Sequence, residues 1–454
     1  MSLNFNTALS GLLTSQKQME IAQNNIANAN TEGYARQRLE VSSNDTLVGS
    51  GIEKEIGSGV IANQVSRIKD ELLIGQVRSE KSQVGYYDNL SKTLQDVEVI
   101  FGDTENGGLN KAITGFFNSW EELNKFPEEK SYRFALVGQA QGLANQLTTI
   151  SDQLDEAKAN VDAQLDQKIT QINSLTTKIA KINEKIGNAS TDNPNALFDE
   201  RDRYLNELSQ YIDVNVQKDP KNPNLINVKS GGTYLVAGVT SSPVKKMEDT
   251  LTKEMILGVN NVEYKPNEGS LLSDLNLKND FLPRYETQLN DLATTLINRV
   301  NSYHVAGYGT DGSTGNKFFL GSDARTIKFN SVLEANTEKI AVSANPTSPG
   351  NSGQGALIAG VLDEKLFNGG TVSLQGFYNG FLVDMATDLN NANDQTSVHG
   401  NVLTGLETTK QSIQGVSVDE EMTNLLQYQH FYIASSKMIK ATDDTFRQLF
   451  DLIQ

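Results

Sequence analysis

Residues 161–186 read VDAQLDQKITQINSLTTKIAKINEKI. Val161, Leu175 and Ile182 recur on one heptad position and Leu165, Ile172, Ile179 and Ile186 on another, so this stretch predicts a long helix that buries one continuous seam. Lys168 interrupts the seam once. Outward from it, helical periodicity runs from about 60 to 210, broken at Asn193-Pro194 and resumed in ALFDERDRYLNELSQYI, with Leu197, Tyr204, Leu205, Leu208 and Ile212 on the apolar side. The fold class this implies is mainly α and elongated, with long coiled-coil-like helices. The composition agrees: 37 % hydrophobic and 7 % aromatic residues suit a shape with much surface for its volume.

From Asp213 the period changes to two. VNVQ, LINV, TYLVAG and MILGVNNVEY, separated by KDPKNPN and a Gly-Gly pair, read as short antiparallel strands of a small β domain ending near 266. Helical spacing returns through Leu282, Leu289, Leu292, Leu296 and Val300. Residues 307–351 are rich in glycine, and from about 352 the chain is again mostly helical.

Both ends carry amphipathic repeats. Phe5, Leu12, Met19 and Ile26 fall seven apart, with Ala8, Ser15, Ala22 and Ala29 three residues after each, a large-then-small pattern that lets a partner approach closely. Leu425, Tyr432, Ile439, Phe446 and Ile453 repeat likewise, supported by Met422 and Leu449. Pairing the ends antiparallel buries both stripes. The expected division is then 1–59 with 415–454 as one domain of terminal helices, 60–210, 267–306 and 352–414 as a helical body, 211–266 as the β domain and 307–351 as an extended connection. Such a terminal pair is marginal by itself. Labile ends that gain order from neighbours are therefore expected.

The 454 residues carry a formal net charge of −17 and no cysteine. That balance repels nucleic acid and anionic membranes, and it rules out disulfides and thiolate metal sites. No stretch of 18 apolar residues suggests membrane insertion, and the N-terminus lacks the basic cluster and apolar run of a signal peptide. The terminal helices do not suit a membrane surface either, since Lys17 is the only basic residue before Arg36.

Catalytic readings are weak. GYGTDGSTGNKFF contains Gly307, Gly309 and Gly312 in dinucleotide-loop spacing, but it follows a helix and precedes a strand, and Lys317 lacks phosphate-loop context. A turn is expected there, with a nucleotide-dependent enzyme using 307–317 as the remote alternative. His304, His399 and His430 have no metal-pair spacing. The carboxylates of DERDRY (Asp199, Glu200, Asp202) and DEEM (Asp419, Glu420, Glu421) read as solvated pairs and helix-start charges. No catalytic residue, cofactor or metal is assigned.

AQNNIANANTEGYARQR, residues 22–38, resembles the N-terminal motif of the bacterial flagellar axial family of rod, hook and hook-associated proteins. SVDEEMTNLLQYQHFYIASSKMIKATDDTFRQLFDLI resembles that family's C-terminal signature. The interior, through LFDERDRYLNELSQYIDV, GGTYLVAG and LPRYETQLNDLATTLINRVNSYHVAGYGTDGSTGNKFF, resembles the first hook-associated branch, at the hook-filament junction; a hook or distal rod subunit is the alternative. Longer members carry an outer domain after the Phe-Phe pair. Here Phe318-Phe319 leads to IAVSAN in about twenty residues, so that domain's role is not carried over.

The resemblance implies a structural subunit of the flagellum, extracellular, and exported without a cleaved signal peptide. The implied partners are further copies in a ring, the hook protein, the second hook-associated protein, an export chaperone on the C-terminal helix and the type III export apparatus. The assembly interface is assigned to the seam residues Phe5, Leu12, Met19, Ile26, Leu425, Tyr432, Ile439, Phe446 and Ile453, together with Gly33 and Tyr34. Asn24, Asn25 and Asn28 interrupt the first helix without disturbing its seam, so they are expected to face outward toward neighbouring backbones. Asn30 to Gly33 should end that helix, with Gly33 at positive φ.

Overall fold

The computed structural model describes residues 2–31, 33–44, 59–102, 108–188, 194–251, 254–348 and 350–451. Helix α1 (Ser2–Ala27) leads into an antiparallel ribbon of β1 (Gln37–Ser43) and β2 (Val60–Arg67), with a register shift between Glu40 and Val41. Helices α2 (Glu71–Phe101), α3 (Leu109–Lys125), α4 (Lys130–Asn188) and α5 (Asn195–Leu208) follow. The β region comprises a sheet of β3 (Asn215–Lys218), β4 (Ile226–Ser230), β5 (Thr233–Ala237) and β6 (Thr240–Ser241) in sequential order. A second sheet holds β7 (Val244–Glu248), β8 (Met255–Val259) and β9 (Val262–Tyr264).

Helix α6 (Ser270–Asn276) passes through a π turn at Leu277–Phe281 into α7 (Leu282–Ala306). Short pieces then alternate: β10 (Phe319–Leu320), β11 (Lys328–Phe329), α8 (Ser331–Ala335), α9 (Gly353–Ala359), β12 (Lys365–Phe367) and β13 (Val372–Ser373). Helices α10 (Leu374–Gln414) and α11 (Val418–Asp451) complete the chain.

Helix α4 has 59 residues, hence a length of about 88 Å at the usual rise per residue, and this makes the molecule elongated. It runs through two cores. Leu136 to Val161 belong to the first, with Leu94, Val97 and Phe101 of α2, Phe116 and Trp120 of α3, Leu289 and Leu296 of α7, and Tyr378, Phe381 and Met385 of α10. Leu165 to Ala180 belong to the second, with Leu205 and Leu208 of α5, Val228 and Val236 of the first sheet, and Leu257 and Tyr264 of the second. The seam that predicts a coiled coil is real, but much of it is covered by sheet. Lys168 is accommodated as one half of a buried pair, its Nζ lying 2.7 Å from Asp274 Oδ2 and donating to Asn89 Oδ1 at 2.7 Å.

Two expectations are corrected. Residues 60–67 form strand β2, so the helical stretch begins at Glu71, where the Asp70 carboxylate accepts the N–H groups of Leu72 and Leu73. The 307–351 stretch, expected as an extended connection, is packed into the helical body, with Phe318, Phe319, Ile327, Ile340 and Val342 buried in the first core. His304 on α7 holds it there: Nε2 accepts the Ala341 N–H at 3.0 Å, and Nδ1 lies 2.7 Å from the Asn316 carbonyl. Gly309 sits against the Glu338 carbonyl in this packed turn, where a Cβ would come within 2.3 Å of it.

Candidate assembly interface

Helices α1 and α11 pair along their length, and the pairing is antiparallel. Gly11 faces Ser435, so closely that a Cβ at Gly11 would lie 3.0 Å from its Oγ, while Asn25 reaches Glu421 at the other end. The centre of the seam is the small-residue stripe. Ala8, Thr14, Ser15 and Ala22 are buried, together with Ile21. Ser15 satisfies its hydroxyl by donating to the Gly11 carbonyl at 2.7 Å, so a polar side chain fits here without an outside partner.

The larger heptad residues flank that stripe. Leu12, Met19, Ile26, Leu425, Ile439 and Phe446 are half-buried, whereas Phe5 and Tyr432 are 38 % and 36 % exposed. Ile453 lies outside the described residues. Further apolar side chains stand free in the single chain: Leu9 and Leu13 on α1, and Met422, Leu426, Phe431, Ile433 and Met438 on α11. Only Glu421 is buried among the described residues of α11. Along α11 they fall on two flanks, Met422, Leu426 and Ile433 on one and Phe431 and Met438 on the other.

At the base of the pair, Asn25 departs from the outward position expected of it. It is 1 % exposed. Its Nδ2 donates to the Gln37 carbonyl at 2.9 Å and to Glu421 Oε2 at 3.1 Å, and its Oδ1 accepts the Gln37 N–H at 3.0 Å. The cause is the reversal at Asn28–Ala35, which brings β1 back along α1. Asn24 and Asn28 serve the same turn: Asn28 Nδ2 donates to the Asn24 carbonyl, and Thr31 Oγ1 to Asn28 Oδ1. Gly33 has φ +81°, as the turn requires. Tyr34 Oη lies 2.8 Å from Asn25 Oδ1 and 3.0 Å from Asn24 Oδ1. Burial, with Asp199 and Glu421 nearby, pushes its pKa up to about 12, so the phenol stays a donor.

Arg36 and Glu421 close the knot. Arg36 Nε donates to Glu421 Oε1 at 2.8 Å and its Nη1 to Glu420 Oε2 at 2.8 Å. Its backbone N–H donates to Gln414 O, and its carbonyl accepts the Ile68 N–H. One residue thereby ties α1's turn to the α10-α11 link and to the end of β2. A second cluster joins the ribbon to the body. Arg67 Nη1 donates to Asp199 Oδ1 at 2.7 Å and Asp202 Oδ2 at 2.9 Å, and Arg78 Nη2 donates to Asp202 Oδ1 at 3.1 Å. Burial pushes the Asp202 carboxyl up, but Arg78, Arg67 and Lys69 outweigh it and hold it below its ordinary value. For Asp199 burial wins over Arg67, and the carboxyl is raised.

Glu421, Asp199 and Asp202 are therefore structural ion-pair partners rather than solvated charges. Arg36 and Gln37 carry no periodic signal in the sequence, so their spacing does not mark them. The available clue was a basic-polar pair immediately after a glycine turn. Among the described residues no three His, Asp or Glu side chains gather as a metal site, and no helix is long and apolar enough to cross a membrane.

Three family descriptions match. Residues 94–319 fit the flagellar hook-associated protein FlgK helical domain, residues 5–34 the flagella basal body rod protein, and residues 411–452 the flagellar basal body rod FlgEFG protein C-terminal region. Flagellar hook-associated protein 1 of Bacillus subtilis is 27 % identical, over 97 % of this chain and 96 % of its own length. Its counterpart in Escherichia coli is 24 % identical over 100 % of both chains. The flagellar hook junction protein FlgK of Burkholderia pseudomallei has a similar fold, with a TM-score of 0.66 at 16 % identity, covering 75 % of this chain and 100 % of that one.

Proposed function

From the premise that this chain belongs to the flagellar hook-associated protein 1 family, we propose that its α1-α11 pair is the part that packs against neighbouring subunits at the hook-filament junction. The protein is a structural component of the bacterial flagellum. Its match to a hook-associated helical domain over 94–319 favours this role over that of a hook or rod subunit. The carrying observation is the exposed apolar flank of α11: Leu426 is 56 % exposed, and Met422 and Ile433 stand exposed on the same side of the helix. Small residues at the centre of the seam let α1 and α11 approach closely, and the exposed Met422, Leu426 and Ile433 are left for other chains.

On this reading the subunit acts by shape and contact, without catalysis. Copies form a ring between hook protein and the second hook-associated protein, outside the cell. Before assembly the same apolar face of α11 suits an export chaperone, and the type III apparatus carries the chain out. Seam residues Leu12, Met19, Ile26, Leu425, Ile439 and Phe446 hold the pair together, with Phe5 and Tyr432 at its edges.

Leu426→Asp tests the reading, because a charge at an exposed position leaves the single chain folded. The purified variant should keep its helical circular dichroism and melting temperature. Electron microscopy of cells carrying it should show hooks without filaments, with filament subunits lost to the medium. Normal filaments would sink the proposal.

A further inference from the structure

A recess of about 830 Å³ opens where the 29–35 turn, α2, α5 and the α10-α11 link meet. Arg67, Lys69, Arg78 and Lys410 line it, opposed by Asp202 and Glu407, in a chain whose net charge is −17. Most of these charges are already engaged: Arg67 with Asp199 and Asp202, Arg78 with Asp202, Lys69 with Glu71. Two donors are left over. Lys410 is half-buried and has neither an ion pair nor a hydrogen bond among the described residues. Gln414, one helical turn along α10, is 7 % exposed, and its Nε2 has no partner among the described residues.

A buried amide donor without an acceptor is costly, and a half-buried ammonium without an anion is costlier. Burial first, then Arg78 and Lys81, push the Lys410 pKa down, and Glu407 and Asp202 offset them only in part. One carboxylate would answer both donors. We propose that the recess receives an Asp or Glu side chain of a second copy of this chain, as a specific polar lock between neighbouring subunits.

The inference rests on the reading that copies pack side by side, and two observations favour a second copy as the source. With 56 acidic against 39 basic residues, a carboxylate is the group another copy offers most readily. The recess also adjoins the foot of the α1-α11 pair, sharing Tyr34 and Gln414 with the knot around Arg36, so it continues the proposed interface.

Lys410→Glu in otherwise unaltered cells is the test, with Lys410→Arg beside it and the melting temperature of each purified protein as the folding control. Filament-bearing cells counted by electron microscopy should fall about tenfold with glutamate and stay near wild type with arginine. Motility revertants of Lys410→Glu should carry an acidic-to-basic change elsewhere in the same gene. Wild-type filament numbers with Lys410→Glu would overturn the lock, while loss of filaments with Leu426→Asp would still leave the junction reading standing. Revertants confined to the gene of another subunit would overturn the second copy as the source. So would a melting temperature raised by millimolar phosphate in wild type but not in Lys410→Met, if cells with Lys410→Met build normal filaments; that pair of results identifies a free anion.

Discussion

Asn25, Asn173 and Asn301 each hold the N–H and the carbonyl of one residue on a passing extended segment. Their partners are Gln37, Val244 and Phe319, at 2.8 to 3.0 Å. A primary amide carries the same donor and acceptor as a peptide unit, so a helix that bears one offers an approaching strand a single rung of a β-ladder. Sequence spacing places Asn25 on the outward side of α1, whereas it is buried between Gln37 and Glu421, because the reversal that brings Gln37 back is a tertiary event. His304 is a second case of one residue fixing a segment. With Nε2 accepting from Ala341 N–H, the proton resides on Nδ1 and is given to Asn316 O. Burial pushes its pKa down to about 4. The folded pKa lies below the unfolded value, so this neutral histidine contributes fully above about pH 6.5 and its contribution is lost as the pH falls toward 4, on the order of 3 kcal/mol in all. Melting temperatures of wild type and His304→Leu should therefore converge as the pH drops from 7 to 4. Parallel pH profiles would contradict the assignment.

Among the elements, α4 was the most legible from sequence, and its partners were the least. The heptad stripe marks the buried face: Val161 to Ile179 line the two cores, and Ile182 and Ile186 are buried beyond them. But periodicity describes one side of a contact, and β4, β5 and α6 satisfy it as well as another helix. The break at Lys168 carries a testable consequence. Asp274 is fully buried and the Lys168 side chain 14 % exposed, and burial pushes the acid up and the ammonium down. Asp274→Asn keeps the shape but strands the ammonium and should cost about 3 to 5 kcal/mol in thermal or urea unfolding. Lys168→Met combined with Asp274→Leu should cost much less than the two single changes together; simple additivity would show that the pair is not coupled. The ribbon β1-β2 was missed for a different reason. VIANQVSR has too few apolar residues to show a period of two, and its pairing with Gln37–Ser43 is set by the Asn25 clamp and by Arg67 on Asp199, both distant in sequence.

For the whole molecule, pairing of the ends was readable because both carry a seven-residue repeat, while the face used was not, since small residues give a weak signal beside Leu12 or Met19. The uneven burial that results should appear as uneven stability. Helix α3 buries Ile113, Phe116, Phe117, Trp120 and Leu123 almost completely, whereas α11 buries Glu421 among its described residues. In hydrogen exchange on the free protein, amides of α1 and α11 should be less protected than those of α3 by on the order of a hundredfold. Equal protection would mean that the terminal pair is stable before assembly.

The bond between Asn25 and Glu421 spans 396 residues. Closing a loop of that size costs roughly 2 to 3 kcal/mol more entropy than closing a 20-residue hairpin, so the body has every reason to fold first. During synthesis at about 5 to 20 residues per second, α1 waits roughly 20 to 80 seconds before its partner exists. The first helix made is thus among the last to be housed, and for that interval its apolar stripe is open to whatever binds nascent chains.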